Sequence, residues 1–248
     1  GVVPRARMLR AFLLDALRAI PAMLRHAIHP GPGSRTLVKR ALGLDGAPPV
    51  PLIDRAWLSV GVSPAPDPGP YTIVMPVHDA FDVLCESLDR VARHSRGDWH
   101  IVLVDDASTD PRVRPWLTAW ARGRPGQVSL VELDENVGFV AAVNRGLEIA
   151  EERNGPVVLL NSDAMVPDGW AERLLAPLRD PGVASVTPMS NDAEIFGAPL
   201  PGTAVALPAG AADRVDDVAR SLYRPEVLHS APTGVGFCMA LSRDWLAR

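Results

Sequence analysis

The sequence predicts an α/β domain, a mostly parallel sheet flanked by helices, over residues 71–248, with an amphipathic helix (residues 1–30) and a linker (residues 31–70) before it. Three observations carry this. Val157–Leu160 is apolar at every position, as a strand is when both its faces are covered. Stretches with helical apolar spacing separate such runs, giving the alternation of a parallel sheet. Three of the runs end in polar clusters, and ligands of an open α/β sheet bind beyond the carboxyl ends of its strands.

In chain order, residues 4–29 place Met8, Phe12, Ala16, Ala19, Met23 and Ala27 at three- and four-residue steps, beside five arginines. Two readings stand: a helix packed on protein, or a peripheral membrane contact with anionic lipid. Residues 31–70 are rich in Gly and Pro and read as linker, with a short helix over Arg35–Leu44. Strands follow at Tyr71–Val77, His100–Val104, Val128–Leu133, Val157–Leu160, Val183–Thr187 and Gly236–Leu241. Helices are expected at Phe81–His94, Val113–Arg122, Phe139–Glu152 and Trp170–Leu178, and from Arg243. Residues 191–232 lose periodicity and read as loops with room for one helix.

Composition narrows the function classes. A net charge of −4 gives no electrostatic footprint for nucleic acid. No apolar run reaches the length of a membrane span. Cys85 and Cys238 match no metal spacing and read as reduced thiols of a cytoplasmic protein. The chain begins at Gly1 and stops at Arg248 within a predicted helix, so a piece of a longer protein is expected.

The first strand runs into Pro76-Val77-His78-Asp79, the second into Asp105-Asp106-Ala107-Ser108-Thr109-Asp110, and the fourth into Asn161-Ser162-Asp163. Carboxylates at a strand end are costly unless they meet a cation or a donor. Ser108, Thr109, Asp110 and Asp168 could instead cap the following helices. After the third strand comes Glu135-Asn136-Val137-Gly138-Phe139, then Asn144-Arg145-Gly146. A helix opening at Gly138 offers free N–H groups and a favourable dipole to a diphosphate, and Arg145 could reach a phosphate oxygen.

These motifs, in this order, resemble family 2 glycosyltransferases from about Tyr71 to Leu246, and most of all the rhamnosyltransferase-like and galactofuranosyltransferase-like branch. The resemblance implies a GT-A fold and a nucleotide-sugar donor bound by Pro76, His78, Asp105, Asp106, Gly138, Asn144, Asn161 and Ser162. It implies that Asn161-Ser162-Asp163 stands in place of the Asp-X-Asp motif, with Asp163 as ligand of Mg²⁺ or Mn²⁺. Thr187–Asp192 and Thr233–Met239 would frame the sugar and the acceptor, a glycan or lipid-linked molecule of the bacterial cell surface. Work at the inner face of the membrane would follow.

The family's general base belongs to an acidic motif beyond the Gly-Phe-Cys-Met strand, and is expected beyond Arg248. Asp192, Glu194, Asp213, Asp216 and Asp217 are present, but outside that motif. The domain is therefore expected to be incomplete at its C-terminus. A degenerate nucleotide-sugar-binding module is the alternative. Pro76–Ala80 stands where a dinucleotide dehydrogenase carries Gly-X-Gly-X-X-Gly, and no P-loop is present.

Overall fold

The computed structural model describes residues 66–247 except 199–201, 209, 223–229 and 232, and a few residues between Ile20 and Val38. The chain divides into two units, Gly1–Pro51 and Leu52–Arg248. In the first, Ile20, Pro21, Met23, Leu24, Arg25, Ala27 and Ile28 are helical and exposed. The rest of the helix expected over residues 4–29 lies outside the described residues, as do most of the linker and of the Arg35–Leu44 helix. Among the described residues, no helix is long and apolar enough to cross a membrane.

The second unit alternates strands and helices: β1 (Tyr71–Val77), α1 (Phe81–His94), β2 (Trp99–Asp105), α2 (Val113–Arg122), β3 (Val128–Glu132), α3 (Phe139–Ala150) and β4 (Val157–Leu160). Then come α4 (Trp170–Leu175), β5 (Ser185–Val186), α5 (Ala211–Leu222), β6 (Cys238–Leu241) and α6 (Arg243–Leu246). The six strands form one sheet in the order β3-β2-β1-β4-β6-β5. β1 to β4 are parallel, and β6 runs antiparallel to both its neighbours.

Period-two alternation splits the core across the sheet. Ile73, Met75 and Val77 of β1 join Leu84, Leu88 and Val91 of α1, Leu117 of α2 and Trp170 of α4 on one face. Val74, Val102 and Val104 meet Ala142 and Ala150 of α3 on the other. Gly146 brings α3 close to the sheet: a Cβ there would lie 2.4 Å from Val74 Cγ1. Each fully buried Val, Leu or Ile contributes roughly 1.5–3 kcal/mol of transfer free energy.

Several boundaries differ from the sequence reading. The helix expected over Trp170–Leu178 is α-helical only to Leu175; Ala176–Arg179 tightens into a 3₁₀ turn around Pro177, whose ring disfavours a continuing α-helix. The Val183–Thr187 strand shrinks to Ser185–Val186, because Asp180 folds the chain back by accepting the Gly182 N–H and the Val183 N–H. The last strand starts at Cys238, after a turn at Gly236 and Phe237. Within residues 191–232, α5 is the one α-helix among the described residues, beside a 3₁₀ turn at Glu194–Phe196. Both cysteines are free; burial pushes the Cys238 thiol up to about 12, so it stays a thiol.

Candidate functional site

The strand order fixes the place to look. Chain order runs β3-β2-β1 in one direction and turns round at β4, so the switch point lies between the carboxyl ends of β1 and β4. Two local features part the strands there. The β1–β4 ladder ends at Val74↔Leu159, two residues before Pro76, whose nitrogen has no hydrogen to donate. Beyond Leu160 the chain turns to the other neighbour: the Asn161 N–H donates to Phe237 O at 2.9 Å. Pro76–Asp79 with the end of β2 forms one bank, and Asn161-Ser162-Asp163 the other.

The first bank is stitched by its own carboxylates. Asp105 is fully buried, accepting the Ser108 N–H at 3.1 Å and Arg114 Nε at 2.8 Å. A second guanidinium nitrogen of Arg114 donates to Leu133 O at 2.8 Å, tying β2, α2 and the chain after β3 together. Asp106, also buried, accepts the Val137 N–H at 2.7 Å and the Gly138 N–H at 2.9 Å. Asp79 accepts the N–H and hydroxyl of Thr109 and the N–H of Asp110. Those donors, led by the Asp110 N–H, hold the Asp79 carboxyl below the usual carboxylate range.

The turns are bent to allow this. Asp79, Ala80 and Ala107 have φ of 57°, 53° and 50°, a region L side chains adopt rarely. Such conformations persist only where the surroundings over-determine them, and here the carboxylate bonds do so.

His78 spans the bank. Its Nδ1 lies 2.9 Å from Asp106 O, which can only accept, so the neutral ring carries its proton there. Asn136 Nδ2 lies 3.2 Å from Nδ1 and 3.3 Å from Nε2, against the ring edge between them, where Nε2 is the nitrogen left to accept. The side chain is 43% exposed.

The second bank is simpler. Asp163 is exposed, and its carboxylate has no hydrogen bond among the described residues. Asn161 and Ser162 are half-buried beside it. Among the described residues, no group of three His, Cys, Asp or Glu side chains converges on a cation position. The donor set is one carboxylate with neighbouring amide and hydroxyl oxygens. That fits Mg²⁺ or Mn²⁺ completed by phosphate oxygens and water, and does not fit a protein-only cage.

The site residues expected from sequence therefore fall into three groups. Pro76, His78, Asp105, Asp106 and Gly138 come together on one bank, and Asn161, Ser162 and Asp163 on the other. Asn144 stands apart: it is exposed on α3, one and a half turns beyond Gly138, with no side-chain hydrogen bond among the described residues. Arg145 beside it pairs with Glu148 at 2.5 Å.

The capping roles need correction. Ser108 and Thr109 bond Asp79 and do not cap α2, whereas Asp110 accepts the Arg112 N–H at 2.9 Å in the turn that leads into that helix. Gly169 starts α4, while Asp168 pairs with Arg96 at 2.7 Å.

Sequence reasoning gave Arg114 and Asn136 no role. Arg114 sits nine residues after Asp105 on an amphipathic helix, where an arginine reads as solvated surface. Asn136 lies within the Glu135–Phe139 motif, but nothing local announces its meeting with His78, 58 residues away in sequence.

The carboxylates of α5 are committed elsewhere. Asp213 binds Arg90, Asp216 binds Arg173 at 2.9 Å, and Asp217 binds Arg220 at 2.5 Å. Arg90 holds the Asp213 carboxyl below its ordinary range. At Asp216 burial outweighs the arginines and raises it. The first two pairs fasten α5 to α1 and α4, and the third lies within α5.

Comparison with known proteins agrees with this architecture. A glycosyl transferase family 2 model matches residues 72–248. A Bacillus subtilis protein named as a teichuronic acid biosynthesis glycosyltransferase is 31% identical over 99 residues, 40% of this chain and 36% of its own. A PGL/p-HBAD biosynthesis glycosyltransferase of Mycobacterium bovis is 31% identical over 80 residues, 32% of this chain and 30% of its own. The chain thus spans about a third of the length of these relatives. Among solved structures, a mannosyltransferase from Pyrobaculum calidifontis in complex with GDP-Man and Mn²⁺ superposes with a TM-score of 0.51. It is 25% identical, over 78% of this chain and 51% of that one. The sheet flanked by helices is a GT-A fold, and the chain belongs to glycosyl transferase family 2.

Proposed function

We propose that this domain binds a nucleotide-sugar donor in the crevice between β1 and β4, and that the protein transfers the sugar with inversion to a glycan or lipid-linked acceptor of the bacterial cell surface. The single observation that carries the reading is topological: the sheet's switch point lies between the carboxyl ends of β1 and β4, and the segment that leaves β4 there carries Asp163, whose exposed carboxylate has no hydrogen bond among the described residues. The solved mannosyltransferase that this chain resembles holds GDP-Man and Mn²⁺, which supports the same class of donor and a divalent metal.

The nucleoside belongs against the His78 bank, with the diphosphate directed toward Asn161-Ser162-Asp163. Asp163 would hold Mg²⁺ or Mn²⁺, which offsets negative charge on the departing nucleoside diphosphate. In the transfer, an acceptor hydroxyl oxygen forms the new bond to the anomeric carbon as the bond from that carbon to the diphosphate oxygen breaks. The hydroxyl proton leaves to a general base. Asp213 and Asp216 are tied to arginines of α1 and α4, which argues against either as the base. The base is proposed to lie outside the described residues. The rhamnosyltransferase-like and galactofuranosyltransferase-like branch remains the proposed placement within the family.

Calorimetric titration with UDP, GDP and dTDP in the presence of Mn²⁺ tests the donor reading. One nucleotide is expected to bind more tightly than the other two. Absence of binding by all three, in a folded chain, contradicts it.

A further inference from the structure

The charge of the chain is divided unevenly along its length. Residues 1–40 hold eight Lys and Arg against one acid, Asp15, whereas residues 41–248 hold 17 against 28. A chain of net charge −4 therefore opens on a strongly basic segment. Within that segment Ile20, Met23, Leu24 and Ile28 are helical and between 46% and 69% exposed. With Ala27 they stand at i, i+3, i+4, i+7 and i+8, which is one face of a helix. Leu13, Ala16 and Leu17 continue the spacing in the sequence before them. Arg25 falls on the side away from Ile20, and at helical spacing Arg18 and Arg7 fall in line with it, seven and eighteen residues earlier. The arginines border an apolar stripe that the described residues leave exposed.

Exposed apolar surface of this kind favours a covering partner. The partner has to be apolar where it meets the stripe and negative around that contact. A lipid leaflet with anionic headgroups is both: acyl chains take the stripe, and headgroups take the guanidinium groups, whose apolar stems let them reach along the helix. A second copy docked stripe to stripe would bring two basic segments together, which like-charge repulsion opposes.

We propose that the helical residues between positions 20 and 28 form a membrane-surface anchor, lying in the plane of an anionic leaflet with Ile20, Met23, Leu24 and Ile28 among the acyl chains and the arginines at the headgroups. The helix rests on the leaflet and does not cross it, since no helix among the described residues is long and apolar enough to span. Neither the donor site nor its metal takes part in this contact.

Flotation of the full chain with phosphatidylcholine vesicles, with and without phosphatidylglycerol, tests this, alongside Leu24→Glu and the pair Arg18→Gln with Arg25→Gln. The unmodified chain should float with the phosphatidylglycerol vesicles, and more weakly at high salt. Leu24→Glu withdraws a side chain from the acyl layer and adds a repelled charge, and should weaken binding about tenfold or more. Losing two arginines should weaken it about thirtyfold, from roughly fivefold per charge. Positions 24 and 25 are exposed, so thermal melts of the variants should match that of the unmodified chain, which separates a lost contact from a lost fold.

Three results overturn the proposal: no binding to phosphatidylglycerol vesicles, equal binding to both kinds of vesicle, or binding that either variant leaves intact. Sedimentation velocity without vesicles adds a fourth, since a dimer that Leu24→Glu turns into monomer would assign the stripe to a second copy.

Discussion

Arg114 donates from Nε to the Asp105 carboxylate at 2.8 Å, pairing a fully buried aspartate with an arginine whose side chain is 41% exposed. The pair is asymmetric. Removing Asp105 frees a guanidinium that water can reach, whereas removing Arg114 leaves a buried carboxylate with the Ser108 N–H alone. Breaking a buried pair by deleting one partner costs more than the pair itself contributes. Arg114→Ala should therefore destabilise the domain by about 2–3 kcal/mol, read as a lower urea midpoint at constant slope. Asp105→Asn, which keeps an acceptor for Ser108, should cost about half as much.

Gly146 makes a steric claim. Its Cα faces Val74 and Val104 so closely that a Cβ would sit 2.4 and 3.3 Å from their methyl groups. Gly146→Ala should lift α3 off β1 and destabilise by about 1–3 kcal/mol despite alanine's better helix propensity. Combining it with Val74→Ala should recover part of that loss, since the Val74 methyl that lies nearest is then gone. Thermal melts of the three variants check this.

His100 carries a pH prediction. It is buried in β2, its Nδ1 lies 3.2 Å from Gly126 O, and its Nε2 lies 2.9 Å from Ser129 Oγ. Burial, the largest influence, lowers its pKa below the ordinary histidine value, and Arg153 adds to this. The unfolded chain then binds a proton at a higher pH than the folded one. The stabilisation is present above the unfolded value of about 6.5 and is lost as pH falls through it toward the folded value. Urea titrations should show stability declining between about pH 7 and pH 5, and His100→Gln should flatten that slope.

Much of the fold was legible because its signals are local. Apolar runs bounded by turn residues set β1, α1, α2 and β4 at their observed limits, since propensity, periodicity and burial agree there. Boundaries slipped where a single residue redirected the chain, as Pro177 and Asp180 did. The candidate site was legible in its residue types but not in its wiring. The motifs named Asp105, Asp106 and Gly138, yet which oxygen meets which N–H depends on a sheet order that pairs residues more than 30 apart. Arg114 was silent for the same reason, since its partner is chosen by the packing of α2 on β3. Asp163 differs: the role proposed for it draws on the absence of a hydrogen bond to its carboxylate among the described residues, which sequence cannot display.

Mn²⁺ uptake at Asp163 tests the central claim most directly. Electron paramagnetic resonance follows free Mn²⁺ as the chain is added, with and without the preferred nucleoside diphosphate, for the unmodified chain and for Asp163→Ala. One carboxylate binds Mn²⁺ weakly alone, so uptake should require chain and nucleotide together and should be lost in the variant. Undiminished uptake of Mn²⁺ and nucleotide by Asp163→Ala would contradict the account and move the metal site away from the carboxyl end of β4.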